Sequence, residues 1–259
     1  MGVSTVLSSI ILASVLLVIV GTASYTANNA INFQLEEAQF EQAKNVIISL
    51  DKLIKKAKFS TGSSGYVRAS FQNMEPQFTQ GDYNLTLTLS GGTQNWTYNF
   101  PINTLKIKAG SYVGINGHEN LIGTNSVFVD NLYDSLGRVS IYQLNGAWLT
   151  LDYSRARCLY TGVTDFYNGT DYEAFNIFEV TLINITIGEV DVATNSFLIA
   201  ENIGLSTAFI EIAGNFEITV TSETDETSKS LVDLGGDPAK GSLVNMVFIN
   251  MKISIFGGV

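Results

Sequence analysis

The stretch that decides the fold is MGVSTVLSSIILASVLLVIVGTASYTANNAINFQL, residues 1–35. It contains no Asp, Glu, Lys, Arg or Pro, although the chain of 259 residues carries a formal charge of −10. A long apolar run with no charge and no proline, interrupted only by an isolated Gly21 that does not end a helix, is typical of a helix surrounded by lipid or by other protein. We therefore expect an apolar helix at the N-terminal end of an otherwise acidic chain.

The helical pattern continues beyond the uncharged run. Residues 33–59, FQLEEAQFEQAKNVIISLDKLIKKAKF, contain no Gly or Pro, and the turn-rich FSTGSSG follows at 59–65. Apolar residues recur here at steps of three and four, as on one face of an α-helix. They are Phe40, Ala43, Ile47, Leu50, Ile54 and Ala57. The pattern predicts one helix from about Val3 to about Lys58, apolar all round in its first half and amphipathic in its second.

Charged residues fill the remaining faces of the amphipathic half. They include Asp51 and a cluster of four lysines, Lys52, Lys55, Lys56 and Lys58. We expect these residues on solvated faces of the helix, with the lysines near its C-terminal end, where the helix dipole favours positive charge.

The first half of the helix is rich in small residues. Ser4 and Ser8, and likewise Ser9 and Ala13, are four positions apart, a spacing that lets helix backbones approach closely in apolar surroundings. Packing against copies of the same helix explains these residues better than a lipid anchor does. The residues expected in such a polymerisation core are Val6, Leu7, Ile10, Ile11, Ala13, Ser14, Leu17, Val18, Gly21 and Tyr25.

After residue 62 the apolar residues alternate with polar ones. YNLTLTLSG at 83–91, AWLTLDY at 147–153 and FEITVTSE at 216–223 show this period of two. Turn signals such as INGHEN and LGGDPAKG separate about fifteen short runs of this kind. The pattern predicts an all-β head, most simply a sandwich, so the expected fold class is α+β. We expect the helix at 1–60 and the head at 61–259, as one body or as two lobes divided near residue 170.

The run SLVNMVFINMKISIF at 242–256 is apolar on both faces. Val244 and Met246 lie on one face, and Ile249 and Met251 lie on the other. This pattern predicts a central strand covered on both sides, with the apolar stripe of the long helix as one cover. The similar run IFEVTLINITIGEV at 177–190 is its expected neighbour.

The composition excludes several classes of function. With 14 Lys and Arg against 24 Asp and Glu, the chain offers no basic surface for nucleic acid. A single cysteine, Cys158, cannot form an intrachain disulfide and is expected as a small buried hydrophobe. Together with the single histidine, His118, it is too little for a zinc site or a nucleophilic triad. We therefore expect no catalytic, cofactor or metal site. The acidic stretches TSETDETSKS at 221–230 and DFYNGTD at 165–171 could hold a calcium ion through clustered oxygens, although neither has the EF-hand spacing.

Four Asn-X-Thr sequons are present, at Asn84, Asn95, Asn168 and Asn184. They would accept N-glycans on an exported chain. A charged content of only 15% also suits an exterior surface better than a cytosolic one.

The tail GVSTVLSSIILASVLLVIVGTASYTANNAINF at 2–33, continued by an amphipathic helix into a β-rich head, resembles the type IV pilins. It is most similar to their archaeal branch, the adhesion pilins and archaellins, whose heads are β-sandwiches. In such proteins a peptidase removes a short basic leader at a glycine-bounded site, and the apolar helices then bundle into a filament core. No Lys or Arg precedes Gly2, so Met1 is either the mature start or follows an upstream stretch outside this numbering. No Glu lies near the fifth position, unlike in bacterial pilins, which favours the archaeal mode of assembly.

The resemblance implies a structural subunit of an extracellular, cell-surface filament, with the head exposed for adhesion or surface attachment. Its partners would be copies of itself, the membrane before assembly, and a surface ligand or neighbouring filaments. Two alternatives stay open: a monomeric, membrane-anchored binding module with a β-sandwich ectodomain, and an archaellin of a motility filament. A secreted hydrolase would need paired carboxylates in a cleft, for which Glu173, Glu179 and Asp191 are the candidates.

Overall fold

The computed structural model describes residues 2–72, 74–110, 113–115, 117–167, 169–223 and 225–258, with the backbone alone for 2–6. One uninterrupted α-helix, α1, spans Gly2–Ala57. Its 56 residues give a length of about 80 Å at 1.5 Å per residue. Gly21 lies within it and does not end it. The single long helix expected from the sequence is confirmed.

Thirteen strands follow in the described part of the chain. They are β1 (Ser64–Ser70), β2 (Glu75–Gly91), β3 (Gln94–Lys108), β4 (His118–Ile122), β5 (Phe128–Val129), β6 (Arg138–Gln143), β7 (Ala147–Asp152), β8 (Ala156–Tyr167), β9 (Tyr172–Val190), β10 (Asn195–Ile212), β11 (Phe216–Thr221), β12 (Glu226–Ser230) and β13 (Gly241–Gly257). A six-stranded sheet has the order β1-β10-β13-β9-β8-β5, and a seven-stranded sheet has the order β12-β11-β2-β3-β7-β6-β4. The expected α+β class, a long helix followed by a sandwich-like β head, is confirmed.

Several strands are longer than the short runs expected from the sequence. β9 has 19 residues and β10 has 18. The difference arises because some glycines mark bulges within a strand rather than turns between strands. Gly204, for example, follows a register shift in the pairing of β10 with β13.

β13 lies at the centre of the six-stranded sheet, between β10 and β9. It pairs in parallel with β9, so that Val244 lies opposite Phe178 and Met251 lies opposite Ile185. The predicted central strand and its predicted neighbour are both confirmed.

The head contains two apolar cores, on opposite faces of β13. In the helix core, Ile249, Met251 and Ile253 of β13 pack with α1 and with the inner faces of β3, β6 and β7. In the distal core, Val244 and Met246 pack with β2, β8 and β11. Because successive side chains of a strand point to opposite faces, each face of this strand is covered over a different part of its length. Both cores draw on strands from before and after residue 170.

The amphipathic half of α1 buries the face that its sequence predicts. All six residues of the predicted stripe are 0–7% exposed, and α1 contacts β1, β10 and β7. One charged residue departs from the expectation. Asp51 was predicted on a solvated face and is fully buried instead, because the Tyr153 hydroxyl and the Lys55 ammonium both reach its carboxylate.

Candidate functional site

The candidate functional site is the first half of α1, residues 7–35, which we call the stalk. Fourteen large apolar side chains of the stalk are 46–76% exposed. They are Leu7, Ile10, Ile11, Leu12, Val15, Leu16, Leu17, Val18, Ile19, Val20, Tyr25, Ile31, Phe33 and Leu35. Ala13, Ser14 and Gly21 of the predicted polymerisation core are exposed as well. The side chain of Val6 lies outside the described residues.

The exposed apolar surface runs round the whole stalk. Every residue from 15 to 20 is exposed, and at 3.6 residues per turn these six positions cover all directions about the helix axis. Folded monomers in water rarely expose a contiguous apolar patch larger than a few hundred Å². Lipid or other protein around the stalk would remove this apolar surface from water. Among the described residues, α1 is the one helix long and apolar enough to cross a membrane by length and composition.

The hydroxyl groups of the stalk bond within the helix. Ser14 donates to the Ile10 carbonyl at 2.7 Å, and Thr22 donates to the Val18 carbonyl at 2.9 Å. A buried hydroxyl is costly only when it has no hydrogen-bond partner. These side chains therefore suit dry surroundings. Sequence reasoning missed this feature, although the helical Ser/Thr bond to the carbonyl four residues earlier is a known local pattern.

No contact within the described part of the chain explains why residue 21 is a glycine. A Cβ added there would meet nothing within 4 Å. Glycine in an exposed helix interior costs about 1 kcal/mol relative to alanine. A glycine at this position leaves room for another backbone to approach the helix closely.

The head begins where the stalk ends. Gln39 and Phe40 are the first buried side chains along α1. Just before them, the Glu36 carboxylate lies against Gly110, where an added Cβ would collide with it. The backbone of the head thus passes close to α1 at the level of Glu36.

The other end of α1 is bonded to the head. The Asn202 amide donates to the carbonyls of Ala57 at 3.2 Å and Lys58 at 3.0 Å, and Ser63 donates to Ala57 at 2.6 Å. The last carbonyls of a helix have no partner within it, so these bonds satisfy them. Burial, followed by the charge of Arg157, lowers the pKa of Lys58. These contacts fix the direction in which the stalk leaves the head.

Asp51 joins the middle of the amphipathic half to the head. Its Oδ1 accepts a hydrogen bond from the Tyr153 hydroxyl at 2.8 Å, and Lys55 Nζ lies 2.6 Å from its Oδ2. Burial, reinforced by the neighbouring Asp51 charge, holds the pKa of Tyr153 well above its usual value. The phenol therefore stays protonated and keeps donating to the carboxylate.

The sequons differ in their exposure in the structure. Asn84 on β2 and Asn95 on β3 are exposed. Asn184 lies on the central part of β9, where its amide donates to Asn250 Oδ1 at 3.3 Å and its own Oδ1 is buried. Asn168 lies outside the described residues.

The residues considered for catalysis do not converge. Glu173 and Glu179 lie on β9 and Asp191 follows its end, so the last two are about 40 Å apart along the strand at 3.3 Å per residue. Cys158 is buried, as predicted, and burial raises its pKa to about 12, so its thiol is unreactive. His118 is exposed at the start of β4. Within the described ranges, no three His, Cys, Asp or Glu side chains are grouped so as to hold a metal ion.

Comparison with protein-family models, with curated proteins and with solved structures finds no match to this chain. Its function must therefore be argued from the stalk and the head themselves.

Proposed function

We propose that the protein is the structural subunit of an extracellular filament. The stalks of neighbouring subunits pack together as the filament core, and the β heads face outward for adhesion or surface attachment. The observation that carries this proposal is a stalk exposed on every side and joined without a break to a well-packed head.

The energy available from stalk packing is large. Burying the fourteen exposed apolar side chains at about 1.5–3 kcal/mol each gives tens of kcal/mol per subunit before the entropy of association is subtracted. The small residues support packing between stalks rather than a purely lipid environment. Gly21 would let a neighbouring backbone approach, and Ala13 adds a second small side chain on the exposed surface.

The main alternative is a monomeric membrane anchor carrying the same head. The 29 residues of the stalk would extend about 43 Å, against about 30 Å for the hydrocarbon core of a bilayer. In our proposal the membrane holds the subunit only before assembly. An archaellin of a motility filament would share this core packing and differ in the use of the filament.

The experiment that tests the proposal compares two substitutions to leucine at neighbouring positions of the stalk. Gly21→Leu adds bulk where a close approach is proposed, and Val20→Leu adds one methylene at a neighbouring exposed position. Full-length variants are produced with the wild type, sheared from the cell surface and imaged by negative-stain microscopy, while flotation with vesicles measures membrane binding.

We expect fibres from the wild type and from Val20→Leu. We expect no fibres, but unchanged membrane binding, from Gly21→Leu. If the wild type gives only detergent-soluble monomers, the membrane-anchor alternative replaces the filament. If all three chains form fibres, the close approach of a neighbouring stalk at Gly21 is wrong.

A further inference from the structure

A polar cleft opens on the outer face of the seven-stranded sheet. Its volume is about 760 Å³, within the 300–1,000 Å³ typical of small-molecule sites. Strands β2, β3, β6 and β7 form the cleft, and the β11–β12 hairpin contributes Asp225 and Thr227 to its edge. The stalk takes no part in it.

Small hydroxyl side chains form the floor of the cleft. Lys106, Thr150 and Ser140 lie in one row across β3, β7 and β6, because Thr150 is paired with both of the others. Thr150 and Ser140 are only 5–7% exposed, and their hydroxyl oxygens are 2.6 Å apart. Short side chains on the floor, with longer ones around them, make this part of the sheet concave.

One wall is raised by an irregularity in β2. The pairing of β2 with β3 shifts register between Thr79 and Tyr83, and Gly81 within this bulge has φ 58°. The bulge places the Asp82 carboxylate over β3. There its Oδ2 accepts hydrogen bonds from Lys106 Nζ at 2.5 Å and Thr104 Oγ1 at 3.1 Å. Asp82 is exposed, so its carboxylate can also accept a bond from a ligand.

The second wall is an ordered network around Arg138. Its Nε donates to Asp152 Oδ2 at 3.1 Å, and its guanidinium also donates to the Tyr83 hydroxyl at 3.3 Å. Asp152 is held in turn by the Ser154 hydroxyl at 2.5 Å. Polar groups that are already fixed lose little entropy when a ligand binds.

An aromatic ring completes the lining. Tyr142 on β6 borders the cleft and stacks with Trp148 on β7, with their ring centroids 6.5 Å apart and their planes 8° from parallel. An amphipathic ring supported in this way supplies apolar contact area together with a hydroxyl at its tip.

The charges of the cleft select against anions. Its lining holds three carboxylates, two cations and one imidazole: Asp82, Asp152, Asp225, Lys106, Arg138 and His118. The two cations are already paired with Asp82 and Asp152. A phosphate or a polyanionic chain would meet an excess of negative charge. A ligand with many hydroxyl groups and no charge could bond to the floor and to Asp82 while an apolar edge rests on Tyr142.

We propose that this cleft binds a short neutral saccharide. The floor hydroxyls and the Asp82 carboxylate bond to the sugar hydroxyls, and the ring of Tyr142 packs against the sugar. This binding activity does not depend on filament assembly, because the stalk contributes nothing to the cleft.

The test uses the full chain in detergent micelles, so that it can succeed or fail whatever the state of the stalk. The probes are neutral trisaccharides built from glucose, galactose, mannose or N-acetylglucosamine, with trigalacturonate as an anionic comparison. Saturation-transfer NMR detects binding, and calorimetry measures the affinity. The cleft variants are Tyr142→Ala and Asp82→Asn, and the matched controls are Tyr66→Ala and Asp165→Asn, which change exposed residues of the other sheet.

We expect at least one neutral trisaccharide to bind and each cleft variant to weaken it about tenfold or more, as the loss of a contact of this kind does. The controls should bind like the wild type, and trigalacturonate should bind more weakly. Thermal unfolding checks that every variant is folded. If none of the neutral probes binds, if trigalacturonate binds best, or if folded cleft variants bind like the controls, the proposal is wrong.

Discussion

Tyr153 donates its phenolic hydrogen to Asp51 Oδ1 across 2.8 Å, inside the head. Both residues are buried, and they lie 102 positions apart in the chain. The bond ties the amphipathic half of α1 to the segment that follows β7. Together with the bonds from Asn202 to the end of the helix, it makes the helix part of the head rather than a tether to it.

Tyr153→Phe is expected to lower the free energy of unfolding of the head, because it removes the bond that ties α1 to it. The substitution removes the donor and leaves the Asp51 carboxylate buried with Lys55 as its remaining partner at 2.6 Å. A buried acceptor deprived of its partner costs about 1–3 kcal/mol. Denaturant unfolding of the full chain in micelles, followed by tryptophan fluorescence, measures the loss. Tyr133→Phe is the control, because that side chain is 100% exposed. Equal stability of the two variants would contradict the role given to the bond.

Two leucines of α1 offer a matched pair of substitutions. Leu50 is fully buried in the helix core, whereas Leu17 is exposed on the stalk. Leu50→Ala should destabilise the head by about 2–5 kcal/mol, as cavity-forming substitutions do.

Leu17→Ala, by contrast, should leave the unfolding of the micelle-bound chain within about 0.5 kcal/mol of the wild type. The same variant should lower the yield of filaments. A loss of head stability in Leu17→Ala would show that the stalk packs on its own head.

The thiol of Cys158 should make the head sensitive to alkaline pH. Burial raises its pKa from 9.0 to about 12. The unfolded chain therefore releases this proton at lower pH than the folded chain does. The stabilisation is complete below pH 9 and is lost as the pH rises to about 12, by up to about 4 kcal/mol.

Cys158→Ala removes this contribution, so its stability should fall less than that of the wild type over the same pH interval. Unfolding curves measured between pH 8 and about 11 under reducing conditions compare the two chains. Parallel decline of the two stabilities would mean that the thiol ionises equally well in the folded head.

The sequons should differ in their use on an exported chain. We expect glycans at the exposed Asn84 and Asn95 and none at Asn184, whose amide is bonded to Asn250 within the sheet. Peptide mass spectrometry of the chain from a glycosylating host, with Asn84→Gln and Asn95→Gln as references, determines the occupancy. A glycan at Asn184 would require this part of β9 to be accessible while the chain is modified.

Local patterns in the sequence predicted the parts of the fold that depend on neighbouring residues. The stripe from Phe40 to Ala57 has the helical period, and the run at 242–256 is apolar on both faces, so both were placed correctly. The buried position of Asp51 depends on Tyr153, and the end of α1 depends on Asn202, 145 residues from Ala57. No local period encodes such distant partners.

The cleft could not be predicted from the sequence for a similar reason. Thr150 and Ser140 look like ordinary polar residues on the outer face of a strand. The cavity on that face also needs the bulge in β2, which brings Asp82 over β3, and the β11–β12 hairpin at its edge. The stalk, in contrast, was evident from its composition alone.

The most direct test of the filament proposal places a photo-activated cross-linking side chain at Val15, in the middle of the stalk, and irradiates the intact surface assembly. Val15 is exposed in the single subunit, so the product of cross-linking at this position identifies the molecule that covers it in the assembly. We expect a ladder of covalent dimers and higher oligomers, joined stalk to stalk. Monomers that carry only lipid adducts would contradict the claim that the stalks pack against one another.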